Sequence, residues 1–156
     1  KYKLAGIDCF LLQQDLPAIA EPMEGFVQLA HFSSYNPDKN MQAFNAKFKK
    51  RFGLDANIMA GAYDAVFFWA AAAEKAKSFD ADKVAEAQEG MCLDNTHVGR
   101  QCVRKEDHQV VMDMHLYRVK GGQNVPIATL LGKDTIGEPM VGKDPVEGFT
   151  WEIKKK

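Results

Sequence analysis

An α/β fold follows from three features of this sequence. Two short apolar runs near the start, 4–7 and 26–32, have the length and the partial two-residue alternation of buried strands. A nearly all-apolar helical stretch at 58–77 sits between two amphipathic ones. Two extended pieces around a polar turn then come at 91–103, followed by an alternating run at 110–119. Helices and strands mixed in this order argue for sheets covered by helices.

The elements can be justified in turn. The run 4–7 ends in a loop that opens with Asp8 and Cys9, and Asp15 before Pro17 reads as an N-cap with proline in the first turn. Gly25 opens the second strand, and Ser33 to Pro37 form a polar turn. Asp38 caps a helix in which Met41, Phe44, Phe48 and Phe52 form one stripe, with Gly53 as its stop. Lys47, Lys49, Lys50 and Arg51 crowd its end, where cations suit the helix dipole, and a solvated face accounts for them. The stretch 58–77 carries Asp64 as its one early charge and is expected to be packed on most sides. Asp80 or Asp82 starts a third helix that turns Val84, Ala87 and Met91 inward and ends at Gly90. Beyond Gly121 and Gly122, the prolines and glycines predict loops with one short strand at 127–131.

Composition narrows the function classes. A chain of 156 residues is long enough for one real core, and 46% hydrophobic with 26% charged residues is ordinary for a globular protein. Twenty basic residues against 21 acidic give no field that would draw nucleic acid, so nucleic-acid binding is not expected. The most apolar run, 65–73, is far short of the ~20 residues that span a bilayer. The first residues lack the pattern of a signal peptide, as those of a mature exported protein would. His31, His97, His108 and His115 lack zinc-site spacing, and no glycine pattern resembles a phosphate loop, so neither metal nor cofactor is expected.

The sequence Gly61-Ala-Tyr63-Asp64-Ala-Val66, preceded by Glu24-Gly25-Phe26 and Phe44 to Gly53 and followed by Glu89-Gly90 and Asp107-His108-Gln109, resembles the C-terminal part of the type I periplasmic binding proteins, the branched-chain amino acid and amide receptors. The resemblance implies two Rossmann-like lobes with parallel sheets, a chain that crosses between them, and a solute trapped in the cleft. Residues 1–34 would then be a segment of lobe II, 35–106 a segment of lobe I, and 107–156 the return to lobe II with a C-terminal tail. The strands are too few for complete sheets, and the expectation is that the N-terminal half of the receptor is absent here.

The same resemblance implies the site. Asp8 follows a strand where amino-acid receptors of this family hold the ligand ammonium, and capping of a turn is the alternative reading. Cys9 is its neighbour. Met59, Gly61 and Tyr63 begin the long helix that the family turns toward the cleft, with core packing as the alternative for Met59 and Tyr63. Asp64 is read as serving the helix's first turn or anchoring a neighbouring loop. Ser33, Ser34, Tyr35 and Asp107 fall at lobe crossings and are candidate hinge residues. Cys92 and Cys102 flank the polar turn from opposite arms, and in an oxidising periplasm they are expected to form a disulfide. The function implied is an extracytoplasmic receptor of an ABC importer, with a small polar organic solute and a membrane permease as partners. A sensor of the same fold is the alternative, and a small α/β enzyme using Cys9 or Asp8 is a third reading. A chain of this length, lacking half of its cleft, is expected to associate with itself or with a complementary chain.

Overall fold

The computed structural model describes residues 5–7 and 10–137, so Asp8, Cys9 and the tail from 138 lie outside the described residues. Strand β1 (Ala5–Gly6) leads to a 3-10 turn at Gln13–Asp15 and helix α1 (Leu16–Met23). Asp15 makes no side-chain capping bond; Pro17 instead supplies a φ suited to the first turn. Strand β2 (Val27–Ala30) lies parallel to β1. Helix α2 (Lys39–Phe52) is capped by Asp38, which accepts from the N–H groups of Asn40 and Met41 at 2.8 and 3.1 Å. Gly53 closes it with φ of 76°, a conformation that suits glycine.

The long apolar stretch divides into a 3-10 turn, Ile58–Ala60, and helix α3 (Gly61–Ala76). Helix α4 (Ala81–Gln88) packs on α3, with Val84 and Ala87 set against Ala72 and Ala73 and with Met91 beside them. Contrary to the expectation from its apolar sequence, α3 is not packed on most sides. Phe68, Ala72 and Ala73 face inward, but Val66 is 64% exposed, Phe67 51% and Trp69 47%. One face of α3 meets the core; on the other, Trp69 stacks on Phe79 and Phe67 touches Tyr63, yet the face stays about half open among the described residues.

Strands β3 (Cys92–Thr96) and β4 (Gly99–Val103) form a hairpin, and β5 (Val110–Val111) joins β4 to complete a three-stranded antiparallel sheet. The run 110–119 is two strands, not one. It breaks at Met112 and Asp113, after which β6 (Met114–Lys120) enters the other sheet beside β2. Strand β7 (Gln123–Leu130) is also longer than expected and pairs with β6 through a two-residue turn. Gly121 and Gly122, at φ of 56° and 74°, supply the two left-handed residues such a hairpin turn needs. Pro126 and the bulge that leaves Ile127 unmatched sit in β7 because it is the outer strand, where a missing N–H costs no ladder bond.

The four-stranded sheet therefore runs β1-β2-β6-β7, with β1 and β2 as its one parallel pair among the described residues. The α/β expectation holds, and within it this sheet is mixed: β6 returns beside β2 after a long excursion and runs against it. This sheet draws its strands from both ends of the chain, while α2, α3, α4 and the hairpin come from the middle. Ala30, Phe32, Met41, Ala56, Ile58 and Tyr117 form the core cluster that joins the two parts. Truncating Met41, which is 1% exposed there, should cost about 2–5 kcal/mol of stability. Chemical denaturation of Met41→Ala against wild type measures it.

Candidate functional site

The first crossing between the two parts begins as β2 ends. His31, Phe32, Ser33 and Ser34 are all buried, and side-chain bonds fix the segment that follows. The Ser33 hydroxyl donates to the Asn124 carbonyl at 3.2 Å and accepts from the Tyr35 N–H at 3.2 Å. Gln42 on α2 donates its amide to the carbonyls of Ser34 and Asn36 at 2.9 and 2.6 Å. Asn36 donates to the Tyr117 hydroxyl on β6 at 2.9 Å. Of the three hinge candidates here, Ser33 and Ser34 lie inside the joint and Tyr35 lies on its surface.

Past α2, Asn57 accepts from the Met59 N–H at 2.8 Å and so caps the turn that leads into α3. This leaves Met59 and Tyr63 exposed on one wall of an open groove of about 620 Å³, with Phe44 and Phe48 on the other. Tyr63 meets Phe44 edge-on with centroids 5.2 Å apart, and Lys47 and Arg51 bring positive charge to the rim. Gly61 does not line this groove. A Cβ placed on it would stand 4.0 Å from Nε2 of His31, so it faces the crossing instead.

One turn further along α3, Asp64 is 3% exposed. Its carboxylate accepts from the His97 N–H at 3.1 Å and from the Gln101 amide at 2.8 Å, and pairs with Nδ1 of His97. The His97 ring lies against His31, Phe32 and Phe44, with centroids 5.4, 5.5 and 5.6 Å away. The turn that presents His97 is tight: Thr96 donates its hydroxyl to the Gly99 carbonyl at 2.6 Å. Gly99 has φ of 94°, and a Cβ there would come within 2.8 Å of Asn40. Behind the turn, Cys92 and Cys102 face each other across β3 and β4 and are joined as a disulfide, with Cα atoms 4.0 Å apart. Asp64 is thus the anchor of a neighbouring loop.

Comparison with known proteins adds the lineage. A family model described as "Periplasmic binding protein" matches residues 1–124. The chain belongs to the periplasmic binding protein family. A comparison with curated proteins found no match. Among solved structures, this periplasmic binding protein is similar to a solute-binding protein of an ABC transporter from Rhodopseudomonas palustris BisB5 in complex with 3,4-dihydroxybenzoic acid. The TM-score is 0.75 at 24% identity, over 85% of this chain and 38% of that one. An ABC-type branched-chain amino acid transporter structure from Rhodopseudomonas palustris CGA009 gives 0.73 at 24% identity, over 90% and 39%. A leucine-binding protein from Thermotoga maritima MSB8 gives 0.69 at 21%, over 83% and 37%. These likenesses show the fold, and the chain spans well under half the length of each.

In this periplasmic binding protein the turn between β4 and β5 is built around Asp107, ahead of the break at Met112 and Asp113 where the chain passes into the other sheet. Arg104 donates to both of its carboxylate oxygens, at 2.8 and 2.5 Å, and the Gln109 N–H donates to one of them at 3.1 Å. His108 turns the chain with φ of 57°. Asp107 thus stands apart from the groove, as the centre of its own turn. Among the described residues, no group of three or more His, Cys, Asp or Glu is placed to hold a metal ion.

Sequence reasoning missed Asn57, Gln28 and Asn124. Gln28 gave one signal, as a polar residue in the apolar run 26–32 at a position the sheet buries. It also missed the gathering of His31, His97 and His115 near the crossing. Burial pushes the His115 imidazole below its usual 6.5; Asp113 and Asp38 pull it upward, and His31 adds to the lowering. The unfolded chain therefore takes up a proton that the folded chain resists. The stability this group contributes is whole above pH 6.5 and is lost as pH falls from there toward the folded value. In thermal melts, the drop in Tm between about pH 7.5 and about pH 5.5 should be smaller in His115→Gln than in wild type.

Proposed function

We propose that this chain forms one wall and the crossings of an extracytoplasmic receptor that traps a small polar organic solute and delivers it to the permease of an ABC importer. The observation that carries the reading is the placement of the start of α3. Asn57 and the Asp64 anchor hold this turn beside the first crossing, and its two large side chains, Met59 and Tyr63, are left open to solvent. Helix starts and loops beyond strand ends are where open α/β sheets bind ligands.

In this reading residues 1–34 and 107–156 belong to one lobe and 35–106 to the other. Ser33, Ser34, Tyr35 and Asp107 take up the change of angle on closure. Asp8 and Cys9 are assigned as solute contacts of the lobe II segment, with Asp8 for the ammonium, and Gly61 lets the solute approach the backbone. Branched-chain or aromatic amino acids, amides and aromatic acids are the solute class. It is the class represented by the dihydroxybenzoate complex and the leucine-binding protein among the similar structures. The periplasm is the matching compartment, since it permits the disulfide between Cys92 and Cys102.

Calorimetry with leucine, phenylalanine and benzoate tests the assignment on the whole receptor. Asp8→Asn should weaken binding of the two amino acids by roughly 2–5 kcal/mol, the cost of unpairing a buried charge, and leave benzoate unaffected. Equal affinities for leucine in wild type and variant would return Asp8 to the capping of a turn.

A cleft needs both walls, and the open apolar face of α3 is where further protein would sit. Alone, the chain should self-associate or bind a complementary chain through Val66, Phe67 and Trp69. Sedimentation velocity should then show oligomers that a Val66→Lys, Phe67→Lys double variant reduces to monomer. A monomeric wild type at the same concentrations would remove this part of the proposal.

A further inference from the structure

We propose that the crevice between β2, the first crossing and β7 is a binding site for a single buried water molecule, held by Gln28, Ser34 and Asn124. All three side chains line this crevice, together with Leu11, Phe32 and Ile58. Their exposures are 3%, 8% and 4%. Gln28 Oε1, Ser34 Oγ and Asn124 Oδ1 are each buried without a hydrogen-bond partner in the protein. Leaving a buried polar atom unsatisfied forfeits its solvation with nothing in return, so three such atoms in one crevice point to an occupant.

The surrounding polar groups are already committed. Ser33 bridges the Tyr35 N–H and the Asn124 carbonyl. The amide of Gln13 spans the Asn124 N–H and the Gly122 carbonyl, at 3.0 and 3.1 Å. Gln28 donates its own amide to the Leu11 carbonyl at 3.1 Å, which leaves Oε1 as its unsatisfied end. What remains is two carbonyl oxygens that need donors and one hydroxyl that can donate.

A water molecule matches that set: it gives its two hydrogens to Gln28 Oε1 and Asn124 Oδ1 and accepts from the Ser34 hydroxyl. The free space is about 10 Å³, which is at the lower edge of what one water needs. No carboxylate lines the crevice among the described residues, so a cation would be buried without a counter-charge, at a cost that favours the neutral occupant. The water would tie strand β2 and the crossing that follows it to strand β7, some ninety residues further along the chain. The site holds whether or not the chain traps a solute.

Solution NMR on the 156-residue chain tests it. Long-lived water should give cross-relaxation peaks to the amides of Ser34 and Asn124, opposite in sign to those from surface hydration. Ser34→Ala should lose or strongly weaken both peaks. A crystal structure of the wild type, which does not depend on the variant folding, should show one water within about 3.2 Å of all three oxygens. Three results would overturn the site: no such peaks in the wild type, unchanged peaks in Ser34→Ala, or a crevice filled by an ion, by solute or by side chains paired with each other.

Discussion

Asp64 is buried in the first turn of an apolar helix, and a carboxylate there is tolerable only because His97 and Gln101 answer it with hydrogen bonds from the hairpin. Much of the central part of the molecule is arranged around this requirement. The hairpin must place a backbone N–H, an imidazole and an amide on one carboxylate, so its turn has to be tight and its arms in register. Gly99 permits the turn where any side chain would strike Asn40, and the disulfide between Cys92 and Cys102 closes the arms. The imidazole so placed becomes part of the apolar joint, against Phe32 and Phe44. A single charge on α3 thereby links the helix, the hairpin and the crossing.

The crossing itself is held by polar bonds as well as by apolar packing. Asn36 and Ser33 reach β6 and β7 from a segment of four residues, and Gln42 reaches back to that segment from α2. Hydrogen bonds of this kind are directional and individually modest, so they can be exchanged for others when the segment turns, whereas the apolar cluster beneath them resists change in volume. The two kinds of contact thus divide the joint between direction and volume.

Local chemistry made a good share of this legible in the sequence. Asp38 and Gly53 bound α2 as their residue types predict, the inward set Val84, Ala87 and Met91 is correct, and of the two structural roles the sequence offers Asp64, the helix's first turn or a neighbouring loop, the bonds to His97 and Gln101 show the loop. The failures came where partners distant in sequence decide the outcome. Alternation could not show that 110–119 changes sheets at Asp113, because both halves alternate equally well. Pro126 hid β7, since proline argues against a strand unless that strand lies at an edge, and edge position is a property of the whole sheet. The apolar circumference of α3 predicts packing on most sides, yet it records what the helix can bury and not what the described residues supply. Met59 and Tyr63 come together in a groove with Phe44, whereas the crevice of Gln28, Ser34 and Asn124 draws on residues spread over most of the described chain.

The form of β7 has a consequence for how the molecule meets its own kind. An outer strand offers a row of backbone groups to any passing strand, and continuous growth of a sheet by such additions is the route to fibrous aggregates. Here proline interrupts the row near its middle and the bulge at Ile127 throws the rest out of step, while the opposite edge, β1, is only two residues long among the described residues. Among the described residues both features work against edge-to-edge growth of this sheet, so the fold that carries the crossing also guards against its own repetition.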